Sequence, residues 1–143
     1  MASVSPFTEA VSDVRLTLPP EPAAARRARR ALHEAGVPED LEHTVDLLST
    51  ELIANAVRHA EMQPDQEITF VARFVADYVR VEVHDPGPGF DPDKSLDGRG
   101  YGLRMVDKLA SRWGVENENG ARVWFEVDRR SRRFDRGAST RAR

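Results

Sequence analysis

The chain has 143 residues, of which 40% are hydrophobic and 31% are charged. This size and composition are typical of one folded globular domain with a substantial core. The absence of cysteine excludes disulfides, thiolate metal sites and cysteine nucleophiles. No apolar run reaches membrane-spanning length, and the first residues lack a basic segment followed by an apolar one. We therefore expect a cytoplasmic protein with no membrane contact.

The net charge of −3 is divided unevenly along the chain. Residues 129–143 contain seven arginines and one aspartate, a local charge of +6, which leaves −9 for residues 1–128. Phe134 is the one aromatic residue of this tail, so we expect the tail to be disordered. An arginine-rich tail could contact an acidic partner, but arginine is the prevailing basic residue of the whole chain and we expect no direct nucleic-acid binding. We also expect residues 1–9 to be flexible and residues 10–128 to form the domain.

The first predicted elements are a strand and two helices. Apolar and polar residues alternate over Val11–Leu18, which predicts a half-buried strand. An alanine- and arginine-rich helix is predicted over Glu21–Glu34, closed by Gly36. A long amphipathic helix follows from Pro38 to about Ala60, with acidic residues in its first turn. Four arginines of the first helix could form a phosphate-binding patch or simply its solvated face: Arg26, Arg27, Arg29 and Arg30.

The pattern in the second half of the chain predicts two hairpins separated by a glycine-rich loop and a helix. Ile68–Ala76 and Val79–Val83 form the first hairpin, around a tight turn at Asp77-Tyr78. The helix covers Leu103–Ala110. Arg112–Glu116 and Ala121–Asp128 form the second hairpin, with Asn119-Gly120 as its turn signal. The predicted fold class is α+β: a two-layer α/β sandwich with a mixed, largely antiparallel sheet and helices on one face.

Two polar residues lie one turn apart in the middle of the long helix. A helix advances about 100° per residue, so Glu51 and Asn55 share one stripe, with Arg58 close to it. Complementary Glu/Lys pairs would be usual on a solvated face. The stripe is either a polar edge beside the core or part of a site, and these residues alone do not decide between the two.

A carboxylate followed by a forced bend ends the strand at Val83. In Asp85-Pro86-Gly87-Pro88-Gly89 the aspartate can accept a hydrogen bond from the exocyclic amine of adenine, whereas guanine would present a carbonyl oxygen that it repels. The glycines Gly87 and Gly89 allow a base and sugar to approach the backbone. The same segment could also be an ordinary loop.

A second glycine-rich segment precedes the third predicted helix. Gly98, Gly100 and Gly102 allow tight turns that aim backbone N–H groups at phosphate oxygens, and Leu103 begins the helix. The segment contains no Gly-Lys-Ser/Thr, which excludes a Walker loop. It also does not directly follow a strand, as the glycine-rich loop of dinucleotide-binding folds does. Alone it is weak evidence of a phosphate site.

Together these motifs supply the parts of an ATP site. Asp85 would read the adenine, and the loop from Gly98 to Leu103 would cover the phosphates. Asn55 offers a neutral oxygen to Mg²⁺, which prefers hard oxygen ligands. Glu51 could orient or deprotonate an attacking hydroxyl.

The combination resembles the GHKL ATP-binding superfamily of gyrase-type ATPases, histidine kinases, chaperone ATPases and anti-sigma-factor kinases. Glu51-x-x-x-Asn55 with His59 is similar to the N box and Asp85-x-Gly87-x-Gly89 to the G1 box. The segment Gly98-x-Gly100-x-Gly102-Leu103 is similar to the G2 box. The chain is most similar to the stand-alone anti-sigma serine/threonine kinases, whose final Gly-x-x-Val-Trp-Phe strand recurs at 120–125.

This resemblance implies the Bergerat sandwich, bound Mg-ATP, Glu51 as catalytic base, Asn55 as metal ligand and Asp85 as adenine reader. It implies backbone contacts to the nucleotide at Gly87, Gly89, Gly98, Gly100, Gly102 and Leu103. It also implies phosphorylation of a serine or threonine on an antagonist protein, binding of a sigma factor, and a homodimer. One departure is Arg122, where the family often has threonine. Its side chain either removes a hydroxyl contact near the adenine or points to solvent.

Other functions remain open. A non-catalytic ATP-binding interaction module of the same fold would use nucleotide only to shape a protein-binding surface. A sensor histidine kinase is disfavoured because no dimerisation helix pair with an acceptor histidine remains. A metalloprotein is disfavoured because the histidines show no ligand spacing. These histidines are His33, His43, His59 and His84.

Overall fold

The computed structural model describes residues 12–59, 66–86, 102–130 and 140–141. These segments contain three helices: α1 (Ala24–Ala35), α2 (Glu39–His59) and α3 (Gly102–Leu109). They also contain six strands: β1 (Ser12–Leu18), β2 (Ile68–Val75), β3 (Tyr78–Asp85), β4 (Arg112–Glu116), β5 (Ala121–Asp128) and β6 (Thr140–Arg141). None of these helices is long and apolar enough to cross a membrane.

The six strands form one sheet in the order β1-β2-β3-β5-β4-β6. The pairs β1–β2, β2–β3, β3–β5 and β5–β4 are antiparallel. The edge strand β6 pairs with β4 in parallel. The predicted α+β class with a mixed, largely antiparallel sheet is confirmed. Both predicted hairpins and all three predicted helices are present, with ends that differ by a few residues.

Alternation along the strands gives the sheet two different faces. In β3 and β5, buried residues such as Val81 and Phe125 alternate with partly exposed ones such as Arg80 and Trp124. The buried face joins the apolar stripe of α2 in one core, in which Leu48, Leu52 and Phe70 are almost fully enclosed. Because α2 packs against α1, α3 and β3, it is the central element of the helical layer. The second sheet face, which we call the outer face, carries the charged residues.

Turn positions follow the residue types. Asp77 has a φ of 67° and belongs to the turn, while Tyr78 already begins β3, one residue before the predicted strand start. Asn119 and Gly120 have φ values of 59° and 107° in the β4–β5 turn. Asn-Gly is a favoured pair for such left-handed conformations, which explains why this hairpin could be predicted.

The end of β5 is tied to the start of α2. The Arg129 guanidinium donates to the carboxylate and the carbonyl oxygen of Asp40, and its backbone N–H donates to the Asp77 carbonyl. Arg130 pairs with Asp128. These contacts attach Arg129 and Arg130, the two residues that follow the predicted domain end at Asp128, to neighbouring residues of the domain. Thr140–Arg141 also pairs with β4 within the tail predicted to be disordered, and the prediction for the rest of the tail lies outside the described residues.

Candidate functional site

A small, partly open pocket lies between the helical layer and the sheet. Its wall combines side chains of α2 with side chains from the neighbouring strands β3 and β5. The described residues that line it are Leu52, Asn55, Ala56, Val83, Asp85 and Val123. Four of these are apolar, and Asn55 and Asp85 are the two polar ones. A mostly apolar pocket with a few convergent polar groups is the usual form of a small-molecule site.

Asn55 presents a buried amide to this pocket. The residue is only 3% exposed. Neither its Oδ1 nor its Nδ2 has a hydrogen-bond partner in the part of the chain that the structure describes. Buried polar groups are normally hydrogen-bonded, and one left unpaired is destabilising. An unpaired amide in a pocket is therefore a group that is poised for a ligand.

Asp85 lies at the last position of β3, where the strand leaves the sheet. It is 8% exposed and pairs in the strand register with Ala121. Gly120, just before Ala121, sits so close that a Cβ there would be 2.1 Å from the Asp85 carbonyl oxygen and 3.0 Å from the Pro86 Cα. The turn between β4 and β5 thus packs directly on the backbone that carries the predicted adenine-reading carboxylate.

Glu51 lies one helical turn before Asn55 on α2, as predicted, and is partly exposed. It is outside the set of described residues that line the pocket. Arg58, which helical geometry grouped with Glu51, is exposed. The structure therefore brings Asn55 and Asp85 into one cavity and leaves Glu51 beside it.

The glycine motifs are described only in part. Gly102 is the first residue of α3, and Leu103 is fully enclosed in the core. Leu103 thus anchors the start of α3 in the core. The predicted contacts at Gly87, Gly89, Gly98 and Gly100 lie outside the described residues, so they stay predictions.

Arg122 points away from the pocket. It alternates along β5 with Ala121 and Val123, which are buried on the inner face. Its guanidinium pairs with Glu116 at 2.8 Å and lies 3.7 Å from Glu82 on the outer face. Of the two interpretations of this departure from the family pattern, the solvent-facing one is therefore confirmed.

A family model described as histidine kinase-like ATPase domain matches residues 18–127, which is most of the chain. The chain belongs to this family. A comparison with curated proteins finds no match. The match covers every described helix and all of β2 to β4, so the pocket between α2, β3 and β5 lies within the family domain. Membership in this GHKL-type family implies ATP binding, typically with Mg²⁺, and a regulatory or ATP-hydrolysing role.

The residues of the histidine kinase-like domain fit the implied cofactor. Mg²⁺ binds hard oxygen ligands, and the unpaired Asn55 Oδ1 is such an oxygen. Asp85 offers a carboxylate in the same pocket, and the apolar side chains of Val83 and Val123 can enclose a flat base. This donor set matches a nucleotide with its metal better than it matches a purely apolar ligand.

Sequence reasoning missed the apolar part of this site. Val83 and Val123 were treated only as strand residues, although their alternation with His84 and Arg122 already put them on the core face. Gly120 was recognised only as a turn residue. Its contact with Asp85 joins two turns far apart in sequence, so local pattern could not reveal it.

A cluster elsewhere on the domain brings His33 of α1 close to Glu42 and Asp46 of α2. One nitrogen from His33 and one oxygen from each carboxylate lie within 4.8 Å of one another. His33 Nε2 is 2.8 Å from Asp46 Oδ2, and Nδ1 is 3.5 Å from Glu42. Spacing along the sequence did not predict this cluster because its members come from two helices. Each ring nitrogen faces a different carboxylate, so the arrangement is that of an ion-pair cluster joining α1 to α2.

Proposed function

We propose that this domain is a serine/threonine protein kinase of the anti-sigma type, which uses Mg-ATP to phosphorylate an antagonist protein in a partner-switching system. The observation that carries the proposal is the buried amide of Asn55, which has no hydrogen-bond partner among the described residues and faces the pocket that Asp85 also lines. Asn55 of the predicted N box and Asp85 of the predicted G1 box both line this cavity. The resemblance in sequence to anti-sigma kinases supplies the finer class.

Asn55 holds the metal in this proposal. Bound Mg²⁺ would supply positive charge that offsets the charge developing on the phosphate oxygens during transfer. The Asn55 Oδ1 atom is a suitable ligand because it is neutral and already desolvated. The Nδ2 group can donate to a phosphate oxygen, which would leave neither amide atom unpaired.

Asp85 selects the base. Its carboxylate accepts a hydrogen bond from the exocyclic amine of adenine, and burial strengthens that bond relative to one in water. Guanine offers an oxygen at this position, so its nucleotides bind less well. Val83 and Val123 supply apolar contact with the faces of the base.

Glu51 handles the proton of the attacking hydroxyl. Its partly exposed position one turn from Asn55 leaves the carboxylate accessible to a protein substrate at the pocket mouth. A carboxylate there would accept the proton as the serine or threonine oxygen forms a bond to the γ-phosphorus. The bond from that phosphorus to the oxygen bridging the β- and γ-phosphates breaks, and ADP leaves. General-base catalysis of this kind contributes about 10²- to 10⁴-fold to a rate.

The decisive experiment measures transfer of label from γ-labelled ATP to candidate antagonist proteins. We expect wild type to label a serine or threonine of one antagonist, and Glu51→Ala to lose transfer while it still binds ATP. The matched control is Glu39→Ala, which removes an exposed carboxylate from the first turn of the same helix. Equal transfer by wild type and Glu51→Ala would show that Glu51 is not the base.

A second candidate is a non-catalytic ATP-binding interaction module. The position of Glu51 outside the pocket lining favours it. It predicts tight ATP binding without transfer to any antagonist. A pull-down from native cytoplasm with and without Mg-ATP separates the two. The kinase proposal expects a sigma factor or a small antagonist among the captured proteins, and a homodimer of this chain as the binding unit.

A further inference from the structure

The close approach of Gly120 to Asp85 joins the β4–β5 turn to the end of β3. A Cβ at Gly120 would lie 2.1 Å from the Asp85 carbonyl oxygen, 3.0 Å from the Pro86 Cα and 3.1 Å from the Asp85 carbonyl carbon. All three atoms belong to the backbone, which cannot rotate aside as the end of a long side chain can. Any larger residue at position 120 must therefore displace the backbone at Asp85 and Pro86.

The displaced segment is the one that carries the pocket carboxylate. Asp85 and Ala121 form the last registered pair between β3 and β5. Beyond this pair the turn itself, through Gly120, is what lies against the outgoing chain. Pro86 has a fixed φ and no N–H, so it cannot form a further ladder bond there. The position of the Asp85 backbone relative to the pocket is thus set by how closely the β4–β5 turn can approach Asp85 and Pro86.

From this geometry we propose that Gly120 is a positioning residue for adenine recognition, because its missing side chain holds the Asp85 carboxylate at the pocket. The inference rests on the proposed function, in which Asp85 reads the base. Gly120 touches neither base nor phosphate in this account. It acts through the main chain of Asp85.

A simpler role must be separated from this one. Gly120 has a φ of 107°, a conformation that glycine adopts readily and alanine does not. A substitution could therefore act only through strain in the turn. Gly36, the C-cap of α1, provides the matched control, since its φ is 88° and no atom lies within 4 Å of a Cβ built there.

The test compares four variants: Gly120→Ala, Gly120→Asn, Gly36→Ala and Gly36→Asn. Asparagine tolerates positive φ better than alanine but still carries a Cβ. If strain in the turn alone matters, the variants at both positions lose stability and all four keep the wild-type nucleotide preference. If close approach matters, only the two Gly120 variants lose that preference.

The readout is the ratio of affinities for ATP and for purine riboside triphosphate, which lacks the exocyclic amine. One hydrogen bond to a charged group gives wild type a preference for ATP of about tenfold or more. We expect both Gly120 variants to lower this ratio to near one, as we also expect of Asp85→Ala, with little change in affinity for purine riboside triphosphate. Both Gly36 variants keep the wild-type ratio.

A second measurement does not depend on nucleotide. The amide chemical shift of Asp85 in the free domain should move in Gly120→Asn and stay unchanged in Gly36→Asn. A wild-type preference for ATP that survives in Gly120→Asn, or an unmoved Asp85 amide, overturns the inference while the proposed function stands. A wild type that binds both triphosphates equally overturns the proposed role of Asp85 and this inference together.

Discussion

Asn55 of α2 and Asp85 of β3 face one cavity from different layers of the sandwich, and only Asn55 lacks hydrogen bonds at both of its polar side-chain atoms in the described part of the chain. An enclosed amide without partners stabilises nothing in the free domain. Natural proteins retain such groups where a ligand completes their hydrogen bonds. The domain therefore gives up stability in the free state for the ability to bind.

This relationship predicts that Asn55→Leu stabilises the free domain and abolishes binding. Leucine has a similar volume and removes the unpaired amide, whose burial costs about 1–3 kcal/mol. We expect the free energy of unfolding in urea to rise by about 1 kcal/mol without nucleotide. Mg-ATP should raise the urea midpoint of wild type, since a ligand stabilises the state that it binds, and leave that of Asn55→Leu unchanged.

Ser49 provides the control for this prediction. It lies on the same helix, is fully enclosed, and its Oγ also lacks a partner among the residues described. It does not line the pocket. We expect Ser49→Ala to be neutral or slightly stabilising and to keep the response to Mg-ATP. Loss of that response in Ser49→Ala would mean that general changes in α2, rather than the Asn55 amide, control binding.

Arg122→Thr should restore the residue usual in the family without restoring a contact. The Arg122 side chain is 40% exposed and pairs with Glu116 on the outer face. We expect the ATP affinity to change by less than about twofold and stability to fall by no more than about 1 kcal/mol, the usual worth of an exposed ion pair. The contrasting variant is Ala121→Thr, which adds a hydroxyl on the buried face beside Asp85. Calorimetric titration with ATP should show the larger change there, and a much tighter Arg122→Thr would contradict the outer-face assignment.

Local patterns predicted the elements because each pattern reports a local cause. Alternation of apolar and polar residues follows from the pleat of a half-buried strand, and Asn119-Gly120 supplies the left-handed residues of a tight turn. Helical geometry correctly predicted that Glu51 and Asn55 lie one turn apart on the same side of α2. It could not show that only Asn55 reaches the pocket, because that depends on where β3 and β5 lie against α2.

Contacts between elements were the part that sequence left open. The approach of Gly120 to Asp85 is set by sheet register, and the meeting of His33 with Asp46 is set by the packing of α1 on α2. Neither pair has a characteristic spacing. The outer-face position of Arg122 could be predicted only in part. Strand alternation shows that Arg122 and Val123 point to opposite faces, and the burial of Val123 then decides which face is which.

The contact between His33 and Asp46 predicts a pH-dependent contribution to stability. The hydrogen bond with Asp46 is the main cause that raises the pKa of His33 above its ordinary value, and the negative charges of Asp46 and Glu42 raise it further. Desolvation and the positive charge of Arg29 lower the pKa, but they do not cancel this increase. A raised pKa in the folded state means that the contribution is complete below the unfolded value of 6.5 and is lost as pH rises through the folded value.

We therefore expect His33→Ala to destabilise the domain more at about pH 5.5 than at about pH 8.5, because the contribution of the charged ring is lost as pH rises through the raised pKa of His33. Urea unfolding at the two pH values measures the difference. His43→Ala is the matched control, because it removes an exposed histidine of α2 that lies outside this cluster. A His33→Ala effect that does not vary with pH would show that the contact acts by packing alone.

Tyr78 and Glu126 on the outer face give a prediction at high pH. The Tyr78 hydroxyl donates to Glu126 Oε2 at 3.1 Å, and burial together with the Glu126 charge raises the pKa of Tyr78 to about 12. Glu126 stays ionised because hydrogen bonds from Arg112 and Arg80 outweigh its burial and hold its pKa below the usual range. The phenol of Tyr78 therefore ionises beside a negative charge.

Glu126→Gln should lower the pKa of Tyr78 without returning it to 10, because burial is the largest cause of the shift and remains. The chain has two tyrosines, so the comparison is made in a Tyr101→Phe background, where phenolate absorbance reports Tyr78 alone. Circular dichroism at each pH checks that the domain is still folded. Since the raised pKa means that the unfolded state loses this proton first, stability should fall as pH rises from about 10 towards 12. Titration of folded Tyr78 near its ordinary pKa, or no change in Glu126→Gln, would contradict the contact.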